Sequence, residues 1–434
     1  MPDRLEELHL ADLHARAAEL GVPGFRMLRR EQLVGEISAR DGEEAVSGDA
    51  QAASEDAPPK PKRGRAPKAE RERLAETETE TEQVVGVLEV TPQRYGFLRF
   101  GSIETQTDDV YVSASQIRRC ELRSGDEVAG PARAPRRGER HRALVHVDRV
   151  NGGEPPTGER PGFEGLTAVL PKRRLDLGGS ADALTRAVDL LTPLALGQRV
   201  LVMAAPRSGR TTLLRSLASA IAAQEGPELI VVLIDERPEE ATAWREALPD
   251  SEVVSATADT SPTDQVRVAE LARERARRLA EGGRDAVLVV DSLSRLAVAA
   301  GSAVEGGGTS DVTEVKALFG SGRDLAEDGA GSVTVIATVV AGAEDDGAAE
   351  RAVVTTESSL ITLDPDLAAE GVFPALRPGE SRVSNEDELR DADELAAVRR
   401  LRSLLADLDP REAANLLRER IEGSASNAEL LRSL

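Results

Sequence analysis

The chain contains few of the residues that form disulfides, protein-held metal sites or membrane spans. Its 434 residues include one cysteine, Cys120, which excludes an internal disulfide. The four histidines show no ligand spacing, so a metal site built from Cys and His is not expected. No apolar run is long enough to cross a bilayer, and no signal-peptide pattern is present. The sequence therefore predicts a soluble, cytoplasmic protein with no membrane partner.

Aromatic residues are also scarce, and their placement is uneven. Four of the nine aromatic side chains lie between Tyr95 and Tyr111. The formal net charge of the chain is −22, which opposes a general attraction to nucleic acid. The segment Arg94–Arg142 differs from the rest, because it contains ten basic and seven acidic residues. Any binding of nucleic acid is therefore expected to be local to this segment.

Composition divides the chain into four predicted parts. Residues 1–40 carry two amphipathic stretches around a Gly-Pro break, which predicts a small helical module. Residues 41–83 have almost no large apolar side chain, which is typical of a disordered charged linker. Residues 84–151 show short alternating strands, which predict a small all-β barrel. Residues 152–434 alternate apolar strands with amphipathic helices and end in a helical tail from Glu394, which predicts an α/β domain.

A nucleotide-binding loop is the most informative motif. The apolar strand Val200–Met203 leads into the segment Ala204–Thr212, and a Leu-rich helix follows. Such a loop binds phosphates because backbone N–H groups and a helix N-terminus converge, with a cation and a hydroxyl alongside. The usual pattern is G-x-x-x-x-G-K-[ST]. Here Ala204 replaces the first glycine and Arg210 replaces the lysine, so the motif needs support from elsewhere.

That support comes from strands further along the chain. The run Leu229–Ile234 ends in the charged cluster Asp235–Glu240, and the run Ala286–Val290 ends in Asp291. A carboxylate at this second position usually orients the magnesium ion of a bound nucleotide. Together with a fourth strand at Val333–Val339, these runs predict a parallel sheet with its ligand site at one edge.

A second site is predicted in the barrel. In Tyr95–Arg99 two rings stand at period two with a glycine between them, so both project from one face of a strand. Bases of single-stranded nucleic acid stack on such rings, and Arg94 and Arg99 would hold its backbone. The alternative is that the rings are core packing of the barrel. The flanking arginines weigh against full burial, so Phe97 at least is expected to be exposed.

These motifs resemble one family, the bacterial transcription termination factor Rho, a ring-shaped hexameric RNA-dependent ATPase and helicase. The most specific matching pieces are Tyr95–Arg99, Asp109–Arg119, Leu233–Glu240 and Val372–Ala375. The resemblance implies an OB/cold-shock-like barrel followed by a RecA-like P-loop ATPase domain. Rotary ATP synthase and recombinase subunits share the nucleotide core, but they would not supply the barrel segment.

The resemblance also implies roles for single residues. Thr211 would ligate magnesium, Asp291 would hold it through water, and Glu236 would orient the attacking water. Arg210 would neutralise phosphate charge. The implied nucleotide contacts are Ala195, Leu196, Gly197, Gln198, Arg199, Val200, Arg207, Ser208, Gly209, Arg210, Thr211, Thr212, Arg237 and Phe373. The implied RNA contacts are Arg94, Tyr95, Gly96, Phe97, Leu98, Arg99, Asp109, Val110, Tyr111, Glu139, Arg140 and His141, the last standing where the family usually has an aromatic ring.

The implied activity is termination of transcription. Nascent single-stranded RNA would bind the barrel, and hydrolysis of ATP with Mg²⁺ would drive translocation and release the transcript from the DNA template. The implied partners are further copies of the chain in a homohexameric ring and the RNA polymerase elongation complex.

The chain departs from the family pattern at sites of coupling. Arginine at position 210 keeps the charge of lysine but is larger and planar. Arg377 and Arg382 stand near the family's trans-acting arginine, and neither aligns cleanly. In this family two loops face the RNA in the central channel of the ring. The segment at the first loop, Gly301–Thr309, lacks the lysine that the family has there, and the segment at the second, Gly342–Glu357, is acidic.

Two hypotheses therefore stay open at this stage. The first is a working terminator, and the second is a divergent paralogue that binds RNA and nucleotide but hydrolyses poorly, as a regulatory or ring-modulating subunit. The first is favoured because Thr211, Glu236 and Asp291 are all retained. A third possibility, an ATPase acting on DNA, requires a barrel that prefers deoxy strands.

Overall fold

The computed structural model describes Val34 and residues 81–100, 108–303, 311–340 and 347–434. The helical module predicted over 1–40 lies outside the described residues except for Val34, and so do residues 41–80 of the predicted linker. Parts of both channel loops, 304–310 and 341–346, also lie outside them. All described residues other than Val34 belong to one compact unit, Thr77–Leu434.

The predicted all-β barrel is confirmed. Its strands follow the order β1-β2-β3-β5-β4, and β4 pairs back with β1 to close the sheet. The strands alternate inward and outward residues, so Leu88, Leu98 and Val128 are fully buried in a small apolar core. The elements of the barrel are β1 Thr81–Val90, β2 Gly96–Arg99, β3 Val110–Val112, α1 Ala114–Arg119, β4 Glu127–Arg133, β5 Arg142–Leu144 and β6 Arg149–Val150.

Strand β4 is absent from the sequence-based prediction. Its sequence contains Gly130 and Pro131, both of which indicate a turn when neighbouring strands are unknown. In the barrel β4 pairs with β1, β5 and β6, so three partners outweigh the local preference. Gly130 is needed there, because a Cβ atom would lie 2.2 Å from the carbonyl oxygen of His146.

Strand β1 begins inside the segment predicted as linker. Thr81 pairs with Arg133 and Gln83 pairs with Pro131 in an antiparallel register. The side chains of Thr81, Glu82 and Gln83 are exposed, so composition gave no sign of a strand. The backbone pairing with β4, and not burial, places these residues in the sheet.

The α/β domain is built on a nine-stranded sheet among the described residues. Its centre is parallel in the order β10-β9-β11-β13-β8-β14. The elements are β7 Ala168–Val169, α2 Ala183–Leu191, β8 Arg199–Ala204, α3 Arg210–Ala222, β9 Glu228–Glu236, α4 Pro238–Ala247, β10 Glu252–Thr257, α5 Pro262–Glu281, β11 Asp285–Asp291, α6 Leu293–Ala303, α7 Thr313–Phe319, β12 Arg323–Leu325, β13 Ser332–Val340, α8 Ala348–Val353, β14 Ser359–Thr362, α9 Pro365–Ala369, β15 Arg382–Val383, α10 Glu386–Leu389, α11 Ala392–Ala406, α12 Pro410–Glu422 and α13 Asn427–Arg432.

The middle residues of β9 and β11 are apolar because both faces of the sheet are covered. In β9, Leu229, Val231 and Leu233 lie in one core cluster, whereas the alternate residues Ile230 and Val232 lie in the other. A parallel sheet covered by helices on both faces requires this pattern. Because the strands are parallel, the carboxyl ends of β8, β9 and β11 meet at one edge, and the phosphate loop, Glu236 and Asp291 lie there.

Candidate nucleotide and RNA sites

The phosphate loop connects β8 to α3. Gly209 is the N-cap of α3 and has φ of +89°, a left-handed conformation that a side chain would strain. The hydroxyl of the buried Ser208 donates to the carbonyl of Ala205 at 2.8 Å and fixes the turn. Because α3 begins at Arg210, its free N–H groups face the loop and form an anion site.

Two carboxylates stand beside this loop. Glu236 ends β9 and is 7% exposed, and Asp291 ends β11 and is 1% exposed. Burial raises the pKa of Asp291, while the nearby Arg210 guanidinium acts in the opposite direction. The Thr338 hydroxyl donates to Oδ1 of Asp291 at 3.1 Å and fixes its orientation. The parallel topology thus brings together the two acidic residues that the sequence predicted.

Arg210 bridges these two carboxylates. Its Nη2 lies 3.1 Å from Oε1 of Glu236, and its Nε lies 3.1 Å from Oδ1 of Asp291. A second arginine, Arg295 on α6, also pairs with Glu236. Arg295 is missing from the sequence-based prediction, although its position four residues after Asp291, on the helix that follows the strand, was available as a signal.

The oxygen donors at this edge fit a magnesium ion. A threonine hydroxyl and a carboxylate are hard ligands of the type that Mg²⁺ prefers. Thr211, in the first turn of α3, would supply the hydroxyl, and Asp291, at the end of β11, would supply the carboxylate. Since the Arg210 guanidinium now lies against Asp291, it must move if the ion is to be held there.

One group of the remaining predicted nucleotide contacts lies at or near the phosphate loop. Residues 207–212 form the loop and the start of α3, and Phe373 lies over the loop, since its ring is 3.6 Å from where a Cβ of Gly209 would stand. Arg237 follows Glu236 directly and is 75% exposed.

The segment Ala195–Val200 does not join this group. It lies at the amino end of β8, so that Arg199 is about 16 Å from Ala204 along the strand. Arg199 donates instead to the carbonyls of Thr356 at 2.6 Å and Gly322 at 2.9 Å, and burial lowers its pKa. Within one chain, this part of the predicted nucleotide site is therefore separated from the phosphates.

On the barrel, four rings form one cluster. Tyr95 lies 5.8 Å from Phe97 and 5.6 Å from Tyr111, measured between ring centroids, and Phe97 lies 5.0 Å from His141. All four side chains are partly exposed. The structure thus brings these predicted residues together on the surface, as a platform on which bases can stack.

Other predicted RNA residues face inward. Leu98 and Val110 pair across β2 and β3 and are fully buried in the barrel core, so their side chains do not reach the surface. Arg99 is 7% exposed and pairs with Glu89 and with the buried Asp109. Arg99 nevertheless lies 5.5 Å from the centroid of the Phe97 ring, at the edge of the aromatic platform.

The loop between β4 and β5 carries the last predicted group. Glu139 accepts two hydrogen bonds from Arg133, at 2.6 and 2.9 Å, and one from the N–H of Arg136 at 2.9 Å. These bonds lower the pKa of Glu139 to about 2. Arg140 is exposed beside His141, and Arg94 is exposed at the turn between β1 and β2. The surface around the platform is thus partly basic, as the local charge predicted.

Comparison with known proteins gives a family match to the barrel and another to the α/β domain. Residues 84–156 match the family model "Rho termination factor, RNA-binding domain". Residues 185–383 match the "ATP synthase alpha/beta family, nucleotide-binding domain". The described residues contain no helix with the length and apolar character needed to span a membrane.

Relatives that match about four fifths of the chain are also found. The transcription termination factor Rho of Chromobacterium violaceum is 39% identical over 361 residues, which cover 79% of this chain and 85% of the relative. The protein of the same name from Pseudomonas aeruginosa is 37% identical over 366 residues, covering 80% and 87%. Among solved structures, an ATPase from the type III secretion system of pathogenic bacteria aligns with a TM-score of 0.51 at 21% identity, over 67% of this chain and 93% of that one. That likeness concerns the fold alone.

Proposed function

The chain belongs to the transcription termination factor Rho family, and on that premise we propose that it is an ATPase activated by single-stranded RNA. Hydrolysis would drive the chain along a nascent transcript and release that transcript from the RNA polymerase elongation complex. One observation carries the proposal. A phosphate loop with two buried carboxylates stands in the same compact unit as an exposed aromatic platform.

In the proposed reaction the β- and γ-phosphates of ATP lie against the N–H groups of residues 207–212. Thr211 and Asp291 would hold a magnesium ion, which would supply positive charge to offset the charge on the phosphates. Glu236 accepts a hydrogen bond from the attacking water and orients it. Arg295 holds the Glu236 carboxylate from α6. Phe373 and Arg237 provide an exposed ring and an exposed guanidinium beside the phosphate loop.

In this proposal Arg210 contacts the two carboxylates before nucleotide binds and the phosphates afterwards. Without nucleotide its guanidinium neutralises Glu236 and Asp291. With ATP bound it must turn to the phosphates and release both carboxylates for magnesium and water. A lysine in its place would present a compact ammonium and could not bridge both carboxylates in the same way. We infer that Arg210 slows turnover without preventing nucleotide binding.

The proposal includes assembly of several copies of the chain into a ring. We infer a homohexamer in which a neighbouring subunit contributes an arginine to each nucleotide site. Arg382 is our candidate, because it is 60% exposed and held by Glu357 at 2.7 Å. Arg377 is the weaker candidate, because two carboxylates hold it, Asp364 at 3.1 Å and Glu380 at 3.0 Å.

The regulatory paralogue is the second candidate, and only the bridging position of Arg210 favours it. The comparisons favour the working terminator. Since a terminator acts where transcripts are made, we also propose that the protein works in the cytoplasm.

The experiment that tests the proposal measures ATP hydrolysis by the purified chain with matched RNA and DNA oligomers rich in cytosine. Stimulation by RNA, which DNA does not reproduce, is the expected result. Equal stimulation by DNA would support an ATPase acting on deoxy strands. RNA binding with no turnover in any condition would support the regulatory paralogue.

A further inference from the structure

The barrel rests on one helix of the ATPase domain, α5. Gly125 of the barrel lies so close to that helix that a Cβ atom would stand 2.3 Å from the backbone carbon of Glu274. Arg275 on α5 donates to Glu127 of the barrel at 2.9 Å. At the carboxyl end of α5, Glu281 pairs with Arg123 of the barrel at 3.5 Å. These positions recur at intervals of about two turns, so one face of α5 carries the barrel.

At the amino end of the same face, one carboxylate is shared by two arginines. Oε2 of Glu89, on β1, accepts from Nε of Arg99 at 2.8 Å and from Nη1 of Arg267, on α5, at 2.9 Å. The side chains of Glu89 and Arg267 are 16% and 19% exposed, so solvent screens this pair less than a surface pair. Glu89 therefore joins the barrel to the ATPase domain by charge as well as by packing.

On the barrel side the connection reaches the RNA platform. Arg99 contacts the ring of Phe97 and pairs with Asp109 at its other end. A base or phosphate that hydrogen-bonds with Arg99 competes with Glu89 for the same guanidinium. The Glu89 carboxylate then depends more strongly on Arg267.

On the ATPase side the connection reaches the backbone of Glu236. Arg267 donates to Asp264 at 3.2 Å, and Ser261 caps α5 by accepting from the N–H of Asp264 at 3.2 Å. The loop before this cap is anchored to the site, because the N–H of Ala258 donates to the carbonyl of Glu236 at 3.1 Å. A shift of the first turn of α5 therefore acts directly on the backbone of Glu236.

We propose that the Arg267–Glu89 ion pair couples RNA on the barrel to the nucleotide site through the first turn of α5. The inference rests on the proposed function of both sites. It adds Arg267 as a positioning residue, through which RNA on the barrel affects the position of Glu236 in the nucleotide site. Coupling of this kind is reciprocal, so RNA must tighten or weaken nucleotide binding by the same factor with which nucleotide changes RNA binding. Residues on such a connection change the factor without touching either ligand.

The test uses the full chain, a cytosine-rich RNA oligomer and a fluorescent, non-hydrolysable ATP analogue with Mg²⁺. The coupling factor is the ratio of analogue affinities with and without RNA. We expect Arg267→Ala and Glu89→Gln each to reduce the factor about threefold or more, with analogue affinity in the absence of RNA unchanged. The double variant is expected to lose no more than either single one, because both remove the same pair.

Arg273→Ala is the matched control. Arg273 lies on the same helix, is 14% exposed, and pairs with Glu274 and Glu314 inside the ATPase domain. Its removal should leave the coupling factor unchanged, and Arg267→Lys should restore part of it. Thermal unfolding of each variant separates a lost connection from a lost fold.

The proposal is overturned if the wild-type chain shows no coupling, or if Arg267→Ala and Glu89→Gln couple as well as Arg273→Ala does. Failure of the proposed function is a different result, since the coupling factor is measured without hydrolysis. A chain that binds both ligands with coupling lost in Arg267→Ala, but that never hydrolyses ATP, would support the connection and contradict the ATPase.

Discussion

Arg210 donates from Nη2 to Oε1 of Glu236 at 3.1 Å, so the cation of the phosphate loop holds the residue proposed to orient the attacking water. The same guanidinium also lies against Asp291. In the proposed reaction, both contacts break before Glu236 and Asp291 can act on water and magnesium.

Replacing Arg210 with lysine is therefore expected to accelerate hydrolysis. A lysine ammonium can contact the β- and γ-phosphates without spanning both carboxylates, so Arg210→Lys should raise kcat by about tenfold. Steady-state ATP hydrolysis with saturating RNA measures the effect. Arg215→Lys is the control, because Arg215 lies on the same helix and pairs with Glu240 at 2.8 Å, outside the carboxylate pair. A kcat that does not rise in Arg210→Lys would contradict this role of Arg210.

Removing one ring from the aromatic platform should weaken RNA binding. Phe97 contacts Tyr95, Tyr111 and His141, so Phe97→Ala should lower the affinity for a cytosine-rich oligomer by about ten- to a hundredfold. Fluorescence anisotropy without nucleotide measures this change. Phe373→Ala, at the nucleotide site, should leave the same affinity unaltered. Equal losses in the two variants would show that the platform does not bind the bases.

The ionisation of Glu139 gives a pH prediction. Its pKa is lowered to about 2, chiefly by hydrogen bonds from Arg133, so the carboxylate is charged at any pH above that value. The ion pair is then present through the whole range above pH 3 and is lost only as pH falls through about 2. An NMR titration of the Glu139 side chain should show this midpoint, and Arg133→Ala should move it upward. A midpoint near 4 in the wild-type chain would contradict the pairing.

The contact between the barrel and α5 predicts a difference between two glycines. Gly125 and Gly138 both have left-handed backbone, at φ of +86° and +93°, but only Gly125 faces another backbone within 4 Å. Gly138→Ala should cost about 1 kcal/mol of unfolding free energy from strain alone. Gly125→Ala should cost at least about 2 kcal/mol more, because it forces the turn before β4 away from α5. Thermal and denaturant unfolding measure both, and equal costs would show that the contact is loose.

The sequence predicted the nucleotide edge of the sheet because that edge follows from topology. Once the strands are parallel, Glu236 and Asp291 must end beside the phosphate loop. Two rings of the aromatic platform, Tyr95 and Phe97, followed from the period of a strand, whereas Tyr111 and His141 were implied only by the family resemblance. The same period, applied to the neighbouring residues Leu98 and Val110, indicates that their side chains face the core, and the structure shows them buried.

Other features depend on side chains that meet across long distances in the chain. Arg267 and Glu89 are 178 residues apart, and no local pattern pairs them. The bridging position of Arg210 depends on the conformation of a long, flexible side chain, which pairs with two carboxylates and does not extend into solvent. The β4 strand depends on partners that override a Gly-Pro pair. These features come from packing, which a single sequence does not specify by periodicity.

The measurement that tests the account most directly is ATP hydrolysis by the purified wild-type chain and by Glu236→Gln, each with and without cytosine-rich RNA. Glutamine keeps the size of the side chain but orients and polarises water poorly. We predict RNA-stimulated hydrolysis in the wild type and a loss of about a hundredfold or more in Glu236→Gln, with nucleotide affinity retained. Wild-type hydrolysis that RNA does not change, or that survives in Glu236→Gln, would contradict the account.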